Sequence, residues 1–340
     1  MNHRVVWLET GQSFEVAAGE AVLEAALRGE IALPHECQFG GCGTCRIKLV
    51  EGAVGYTSED GEAGELPMGL SPEEAEAGFA LACQARPSSD LVISVAPPLA
   101  CSSPTLLSAT VEGVQALTPD VTHLRLRLRL PEDVELVYRP GQYMNVQLGD
   151  GRHRSFSMAS RPNGGTVDFH VRRIPGGTFT EQHLAALRAG QTLDVEMPHG
   201  NFCFHAEDYR PLVMVATGTG LAPIKSMLEA LMDDEDCPPV SLYWGMRTEA
   251  DLYLHDEIQT WADRLYEVQY VPVLSRASDS WTGRRGYVQD AVLADLPDLS
   301  EHAIYLCGSP NMIADAKVAF AARGASMDHL YADSFVFQMV

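Results

Sequence analysis

The sequence predicts a multidomain protein of mixed α+β and α/β class: a small β-grasp domain, an antiparallel β-barrel, and a doubly wound parallel α/β domain. Three observations predict it. The N-terminal third sets short strands around one helix and a glycine-rich loop. From Ala109 the pattern becomes strict two-residue alternation, the mark of half-buried strands. From Pro211 continuous apolar runs alternate with helical stretches, as in parallel strands covered on both faces.

In the first region, Val5–Leu8 and Ser13–Val16 form a hairpin around Thr10-Gly11-Gln12. Ala21, Val22, Leu23, Ala25, Ala26 and Leu27 give the following helix its apolar side, and Gly29 stands where a helix C-terminus favours glycine. A cysteine loop, a strand at 46–50, a short helix at 73–77 and a closing strand at 91–95 complete the domain, placed at 1–98. Pro97-Pro98 and Ser102-Ser103-Pro104 mark a linker at 99–105, because proline breaks regular pairing.

The barrel is placed at 106–205, with His123-Leu124-Arg125-Leu126-Arg127-Leu128-Arg129-Leu130 as its clearest strand. Its basic row reads as the wet face of a sheet rather than a phosphate site. Further strands are expected at 143–148, 155–158, 167–172 and 192–197. The α/β domain, 206–340, opens with the apolar strand 212–216, a glycine turn and a helix around 224–232. Strands at 240–244, 268–273 and 303–307 follow.

The net charge of −22 argues against nucleic acid, whose phosphates need Lys and Arg. The charge divides as −10 over residues 1–102, zero over 103–205 and −12 over 206–340. No apolar run reaches the ~18–20 residues of a membrane span, and the start lacks a secretory h-region. A cytoplasmic location is expected.

Eight cysteines occur, and three crowd into Cys37-Gln38-Phe39-Gly40-Gly41-Cys42-Gly43-Thr44-Cys45. With Cys83 they give the spacing C-x4-C-x2-C…C of a plant-type 2Fe-2S cluster. Two irons need four thiolates, and three must converge from one loop. The glycines let that loop fold tightly and turn N–H groups toward sulfur. Zinc is the alternative, but its ligand pairs usually run C-x2–4-C on both sides. Cys101, Cys203 and Cys237 read as ordinary thiols.

Several separated motifs then agree in order. They are Arg154-Ser155-Phe156-Ser157; His170-Val171-Arg172-Arg173 with Gly176-Gly177-Thr178; Thr217-Gly218-Thr219-Gly220 with Pro223; and Cys307-Gly308 with Met312. Residues 103–340 thereby resemble the ferredoxin–NADP+ reductase superfamily. With the N-terminal ferredoxin-like domain, the chain resembles the reductase components of bacterial multicomponent oxygenases.

The resemblance implies FAD on the barrel, NADH on the α/β domain and the 2Fe-2S cluster on the ferredoxin domain. Arg154 would grip the flavin pyrophosphate with a bidentate fork, and Ser157 would face flavin N5. Phe156 stands where the family has tyrosine, so packing survives and a phenol hydrogen bond is lost. His170 and Val171 would edge the isoalloxazine, and the turn at Gly176-Gly177-Thr178 would meet the flavin phosphates at a helix start. A plain turn is the alternative for that glycine pair. The turn Thr217–Gly220, with Thr217 in place of the family's first glycine, would admit the dinucleotide, together with Pro223, Gly308 and Met312. Cys307 would sit beside the nicotinamide where hydride leaves, or else is a buried strand-end thiol. Phe335 would cover the flavin, or else end a packed strand; Asp333 is a lesser candidate there. Thr248-Glu249-Ala250-Asp251 is acidic where a 2′-phosphate would want a cation, which favours NADH over NADPH.

The implied electron route runs from NADH to FAD to the cluster and out to a protein partner. That partner is a terminal oxygenase or its ferredoxin; the oxygenase is a Rieske aromatic-ring dioxygenase or a di-iron hydroxylase of aromatic hydrocarbon catabolism. A deoxysugar dehydratase as client, or a redox-sensing regulator without turnover, are the competing possibilities. By resemblance, Cys37 and Cys42 hold the outer iron and Cys45 and Cys83 the inner one. Glu36, Glu59 and Asp60 are expected to face the partner.

Overall fold

The computed structural model describes residues 2–56, 64–95, 104–130, 137–149, 151–265 and 267–335. These residues form two compact units: 1–100 with 298–300 and 309–340, and 101–297 with 301–308. The linker prolines Pro97 and Pro98, Cys101, Glu59 and Asp60 lie outside the described residues.

In the first unit, β1 (His3–Trp7) and β2 (Ser13–Val16) make the hairpin, and α1 spans Val22–Arg28. Gly29 closes α1 with φ −88°, and the left-handed residue is Glu30, at φ 56°. Gly29 thus follows the last turn as expected, and the left-handed position falls one residue later, on a glutamate. β3 (Arg46–Glu51), β4 (Val54–Gly55), α2 (Pro72–Glu76), β5 (Phe79–Leu81), β6 (Arg86–Pro87) and β7 (Leu91–Ser94) follow. The main sheet runs β2-β1-β7-β3-β5, with β1 parallel to β7, which is the β-grasp crossing of first and last strands. Val5, Val16, Ile47, Leu81 and Ile93 of the sheet are buried, as are Val22, Leu23 and Ala26 of α1.

In the second unit, β8 (Thr105–Ala116), β9 (Val121–Arg129), β10 (Tyr143–Gln147), β11 (His153–Ser157), β12 (Thr166–Arg172) and β13 (Thr192–His199) form one antiparallel sheet, ordered β11-β10-β13-β8-β9-β12. A bridge between Met158 and Phe169 joins its two edges and closes the barrel. α3 is a three-residue turn, Leu184–Ala186. Leu124, Leu126 and Leu128 of β9 point into the core with Met144, Val146, Phe169 and Val195. The arginines between them meet acids on neighbouring strands: Arg125 binds Asp168 at 2.7 Å, and Arg127 pairs with Glu112. The basic row is thus a neutralised wet face.

β14 (Leu212–Thr217), α4 (Leu221–Leu231), β15 (Val240–Met246), α5 (His255–Gln259), β16 (Val268–Leu274), β17 (Arg284–Arg285), α6 (Val288–Asp295) and β18 (Ala303–Gly308) build the parallel layer of the same unit. Its strands run β17-β16-β15-β14-β18, and β14 is flanked on both sides by parallel neighbours. This explains its uninterrupted apolar run. The chain then re-enters the first unit as α7 (Pro310–Ala321) and β19 (Leu330–Ser334). No described helix is long and apolar enough to cross a membrane.

One glycine of the barrel is fixed by space as well as by torsion. Gly141 has φ +104°, and a Cβ there would run into Phe202 O and the Met227 methyl. Gly149 also has positive φ, +77°, but nothing lies within 4 Å of its Cβ position. Gly149→Ala should cost about 1 kcal/mol, from torsion alone. Gly141→Ala should cost at least ~3 kcal/mol, because backbone must also move. Urea unfolding of the two variants checks this; equal losses would contradict it.

Candidate functional site

The cysteine loop lies between α1 and β3 without regular structure, turned by positive φ at Gln38, Gly40 and Gly43. Cys42, Cys45 and Cys83 are buried and Cys37 is half-buried. Packing leaves no slack: a Cβ on Gly40 would stand 2.9 Å from Pro67 Cβ, and one on Gly69 2.9 Å from Gly40 O. Gly69 N donates to Gly40 O at 2.8 Å, and Gln84 Nε2 to Gln38 O at 3.1 Å.

The sulfurs stand in two pairs. The Cys42 thiol hydrogen-bonds Cys37 and pulls it down to about 5, against the effect of burial, and the N–H groups of Cys42, Phe39 and Gly41 add to this. The same bond, with burial, pushes Cys42 up. Cys45 bonds Cys83 likewise, which lowers Cys83 and raises Cys45. Among the described residues, no three His, Cys, Asp or Glu side chains are grouped to hold one metal ion. A cluster of two irons takes a thiolate pair on each, so paired sulfurs with N–H groups aimed at them suit it chemically.

On the barrel, Arg154 and Phe156 pair in register with Val146 and Met144, while Ser155 and Ser157 pair with Asn145 and Tyr143. Ser155 Oγ donates to Asn145 Oδ1 at 2.7 Å. The Phe156 ring lies 5.1 Å from Phe179, tilted by 40°. That contact keeps the packing a tyrosine would make. Arg154 is half-buried, and its guanidinium donates to His153 O at 2.8 Å. His170 is buried, and burial, then the charges of Lys225 and His123, hold it down at about 3, so it is neutral. Val171 is 1% exposed and belongs to the core. Gly176 (φ +78°) turns the chain, and Gly177 precedes a wide helical turn at Thr178–His183. The Gly176 N–H donates to the Glu181 carboxylate at 3.0 Å, so an anion already answers it. A carboxylate accepting there shows that this backbone favours negative charge.

The second glycine turn follows β14. Gly218 (φ +59°), Thr219 and Gly220 form one 3-10 turn that opens α4, whose first turn holds Pro223. Gly220 and Gly308 are glycine for want of room: a Cβ on Gly220 would run into Cys307 O, and one on Gly308 into Thr217 Oγ1. Thr217–Gly220 and Cys307–Gly308 are therefore one surface, with Cys307 fully buried beneath it. Met312 and Phe335 belong to the other compact unit. Glu249 accepts from Ser278 N at 3.1 Å, and Asp251 from Thr248 Oγ1 at 2.8 Å. Arg247 and Arg276 meet at the same edge through a 2.8 Å backbone hydrogen bond.

Residues that the motifs do not show tie the second glycine turn and its helix to the barrel residues Ala159, Ser160 and His170. Lys225 Nζ donates to Ala159 O at 3.1 Å and pairs with Glu229. Ser226 Oγ donates to Ser160 O at 2.6 Å. Tyr253 Oη lies 3.3 Å from His170 Nδ1, and its ring meets Trp244 edge-on at 5.0 Å. Trp244 Nε1 in turn donates to Gly218 O at 3.0 Å. The start of α4 is thus pinned just beyond Ser157. The one available signal was a lysine in an otherwise apolar helix face.

Three family models match the chain in order: a 2Fe-2S iron-sulfur cluster binding domain over residues 5–88, an oxidoreductase FAD-binding domain over 108–204 and an oxidoreductase NAD-binding domain over 214–318. The chain is 34% identical over 330 residues to the CDP-6-deoxy-L-threo-D-glycero-4-hexulose-3-dehydrase reductase of Yersinia pestis, covering 96% of both chains. It is 35% identical over 335 residues to the xylene/toluene monooxygenase electron transfer component of Pseudomonas putida, covering 96% of this chain and 91% of that one. A crystal structure of an Amycolatopsis cytochrome P450 reductase superposes with a TM-score of 0.70 at 31% identity, covering 98% of each chain. The cysteine loop, the closed barrel and the glycine turn of the parallel layer occur here in that same order. This chain belongs to the ferredoxin–NADP+ reductase family, in the branch that carries an N-terminal 2Fe-2S ferredoxin domain and acts as an NAD(P)H-dependent flavin and iron-sulfur oxidoreductase.

Proposed function

We propose that the chain draws electrons from NADH and delivers them singly through its cluster to a terminal oxygenase, either a Rieske aromatic-ring dioxygenase or a di-iron hydroxylase. The observation that carries the internal route is the pinning of α4 to Ala159 and Ser160, which brings the nicotinamide-side turn to the flavin-side strand. FAD supplies two-electron acceptance with one-electron release, and the cluster carries one electron at a time. In this proposal Arg154 holds the pyrophosphate and Ser157 orients the flavin edge. His170 forms the wall beside it with Val171 packed behind in the barrel core, and the turn at Gly176, Gly177 and Thr178 opens a helical turn whose N–H groups meet the phosphates. Thr217, Gly218, Thr219, Gly220, Pro223, Gly308 and Met312 receive the dinucleotide. Cys307 backs the nicotinamide, Phe335 shields the flavin, and Cys37, Cys42, Cys45 and Cys83 hold iron. The domains are taken as 1–98, 106–205 and 206–340, and the location as cytoplasmic.

The oxygenase client is supported by the similarity to the xylene/toluene monooxygenase component. A CDP-sugar dehydrase client has its own support, because the Yersinia relative is as similar. Purification beside each candidate acceptor, with NADH as the only reductant, separates them. The expected acceptor is an oxygenase that turns NADH oxidation into hydroxylated product. Product formation only with a sugar dehydrase moves the client to the second class.

Cys83→Ser should leave NADH-driven ferricyanide reduction in place. It should cut delivery to the protein acceptor by at least ~100-fold, since a direct ligand counts for more than an outer partner worth 10–100-fold. Loss of both activities together would place the cluster elsewhere in the route.

By the family resemblance a 2′-phosphate would approach the acidic stretch that holds Glu249, and Arg247, which bonds Arg276 through the backbone, is close to it in sequence. The expected preference in kcat/KM is at least ~10-fold for NADH, the factor given by ~1.4 kcal/mol. Equal efficiency with NADPH would overturn the NADH assignment.

A further inference from the structure

The unit that contains the cysteine loop also contains α7, and a buried charge cluster joins them. Glu74, on α2, is fully buried. Its carboxylate accepts from Lys317 Nζ of α7 at 2.9 Å, from Arg46 Nη1 at 2.7 Å and from Ser71 N at 2.9 Å. Lys317 is 5% exposed and also donates to Gly69 O at 3.4 Å. Arg46 donates to Leu330 O at 3.1 Å and lies over the Phe79 ring at 4.5 Å.

One end of this cluster adjoins a candidate iron ligand in sequence, and the other touches the glycines of the cysteine loop through Gly69. Arg46 follows Cys45 directly. Gly69, whose carbonyl Lys317 holds, donates its own N–H to Gly40 O and is packed too tightly against Gly40 and Gly41 for a Cβ. Two cations face one carboxylate, so the cluster of charges is net positive; Lys317 and Glu74 are buried and Arg46 is partly exposed. Burial, with the Arg46 charge beside it, holds Lys317 below the ordinary lysine range, and the Glu74 carboxylate offsets this only in part. One-electron reduction adds a negative charge to an iron-sulfur centre, and nearby charge is among the factors that set its potential. A buried cation acts on it with little screening.

We propose that Lys317 is a positioning residue for the cysteine loop, and that the net positive charge of its brace raises the cluster's affinity for an electron. Lys317 does this from the same helix that carries Met312, a candidate dinucleotide contact. The inference rests on Cys37, Cys42, Cys45 and Cys83 being the iron ligands.

The test is a dye-mediated reductive titration of the full-length holoprotein, followed by visible absorbance and EPR. Lys317→Met should weaken electron uptake on the order of tenfold, a fall of ~59 mV for one electron. Lys317→Arg should stay near wild type. The double variant Lys317→Met with Glu74→Gln restores the net charge and should recover most of the potential. Amide exchange at 37–45 and 67–74 should remain fast in that double variant, because Gly69 O is still unheld. An unchanged potential in Lys317→Met, or a double variant that falls as far, overturns the proposal. Should Lys317→Met not retain its cluster, Glu74→Gln alone decides: its potential must stay at or above wild type, and a fall overturns the proposal. A wild-type protein without an iron-sulfur EPR signal would instead refute the ligand assignment.

Discussion

The carbonyls of Ala159 and Ser160 are the fixed point of the second unit. Two structures that could have formed separately both need them. Ala159 N donates to Asp168 O at 2.7 Å and Asp168 N to Ser160 Oγ at 3.1 Å, which closes the barrel on β12. Ser160 O accepts from Tyr138 Oη at 2.7 Å and from Ser226 Oγ at 2.6 Å, and Ala159 O from Lys225. A buried polar group left without a partner is costly, so barrel closure and α4 placement cannot be satisfied independently. The consequence is geometric. Ser157 stands two residues before this point, and α4 opens at the glycine turn. A shift of α4 would take Lys225 from Ala159 O and Ser226 from Ser160 O together.

Much of this fold was legible because its signals are local. The β9 alternation, the apolar run of β14 and the helix at 221–231 are decided by residues close in sequence. The cysteine spacing is equally local, since three ligands come from one loop. Gly220 and Gly308 could be read as turn glycines. Their deeper reason could not: each is small because the other's neighbour occupies the space of its Cβ. That is a contact between strands 91 positions apart in register, Ala216 beside Cys307, and sequence alone does not reveal it.

The charge patterning was legible on surfaces and misleading in the interior. The arginine row of β9 behaves as its alternation implies, exposed and answered by Asp168 and Glu112. Asp168 shows the balance plainly. Burial works to raise it, yet hydrogen bonds from His123 and Arg125 outweigh that and hold it well below the ordinary carboxylate range. Glu74 reads in the sequence as one more acid in Pro72-Glu73-Glu74-Ala75-Glu76, a solvated helix start. It is instead fully buried, and its neighbours Glu73 and Glu76 are not. Only the capping box with Ser71 hinted that this particular acid turns back toward its own helix.

A signal for the interior charges does exist in the composition. The chain has 24 Lys and Arg, of which only Lys48, Lys225 and Lys317 are lysines. All three are structural: Lys48 pairs with Asp328, Lys225 with Glu229 and Lys317 with Glu74. Two of the three are buried on helices, Lys225 on α4 and Lys317 on α7. The division of labour follows from shape. A guanidinium is a flat fork suited to strand faces, where Arg125 meets Asp168 through two nitrogens. An ammonium is compact, and its flexible stem threads through apolar packing to reach a carbonyl and a carboxylate at once. Lys225 does this at Ala159 and Lys317 does it at Gly69, beside the candidate flavin strand and the candidate cluster loop respectively. In a chain this acidic, rarity of lysine marks the positions where a cation serves the interior.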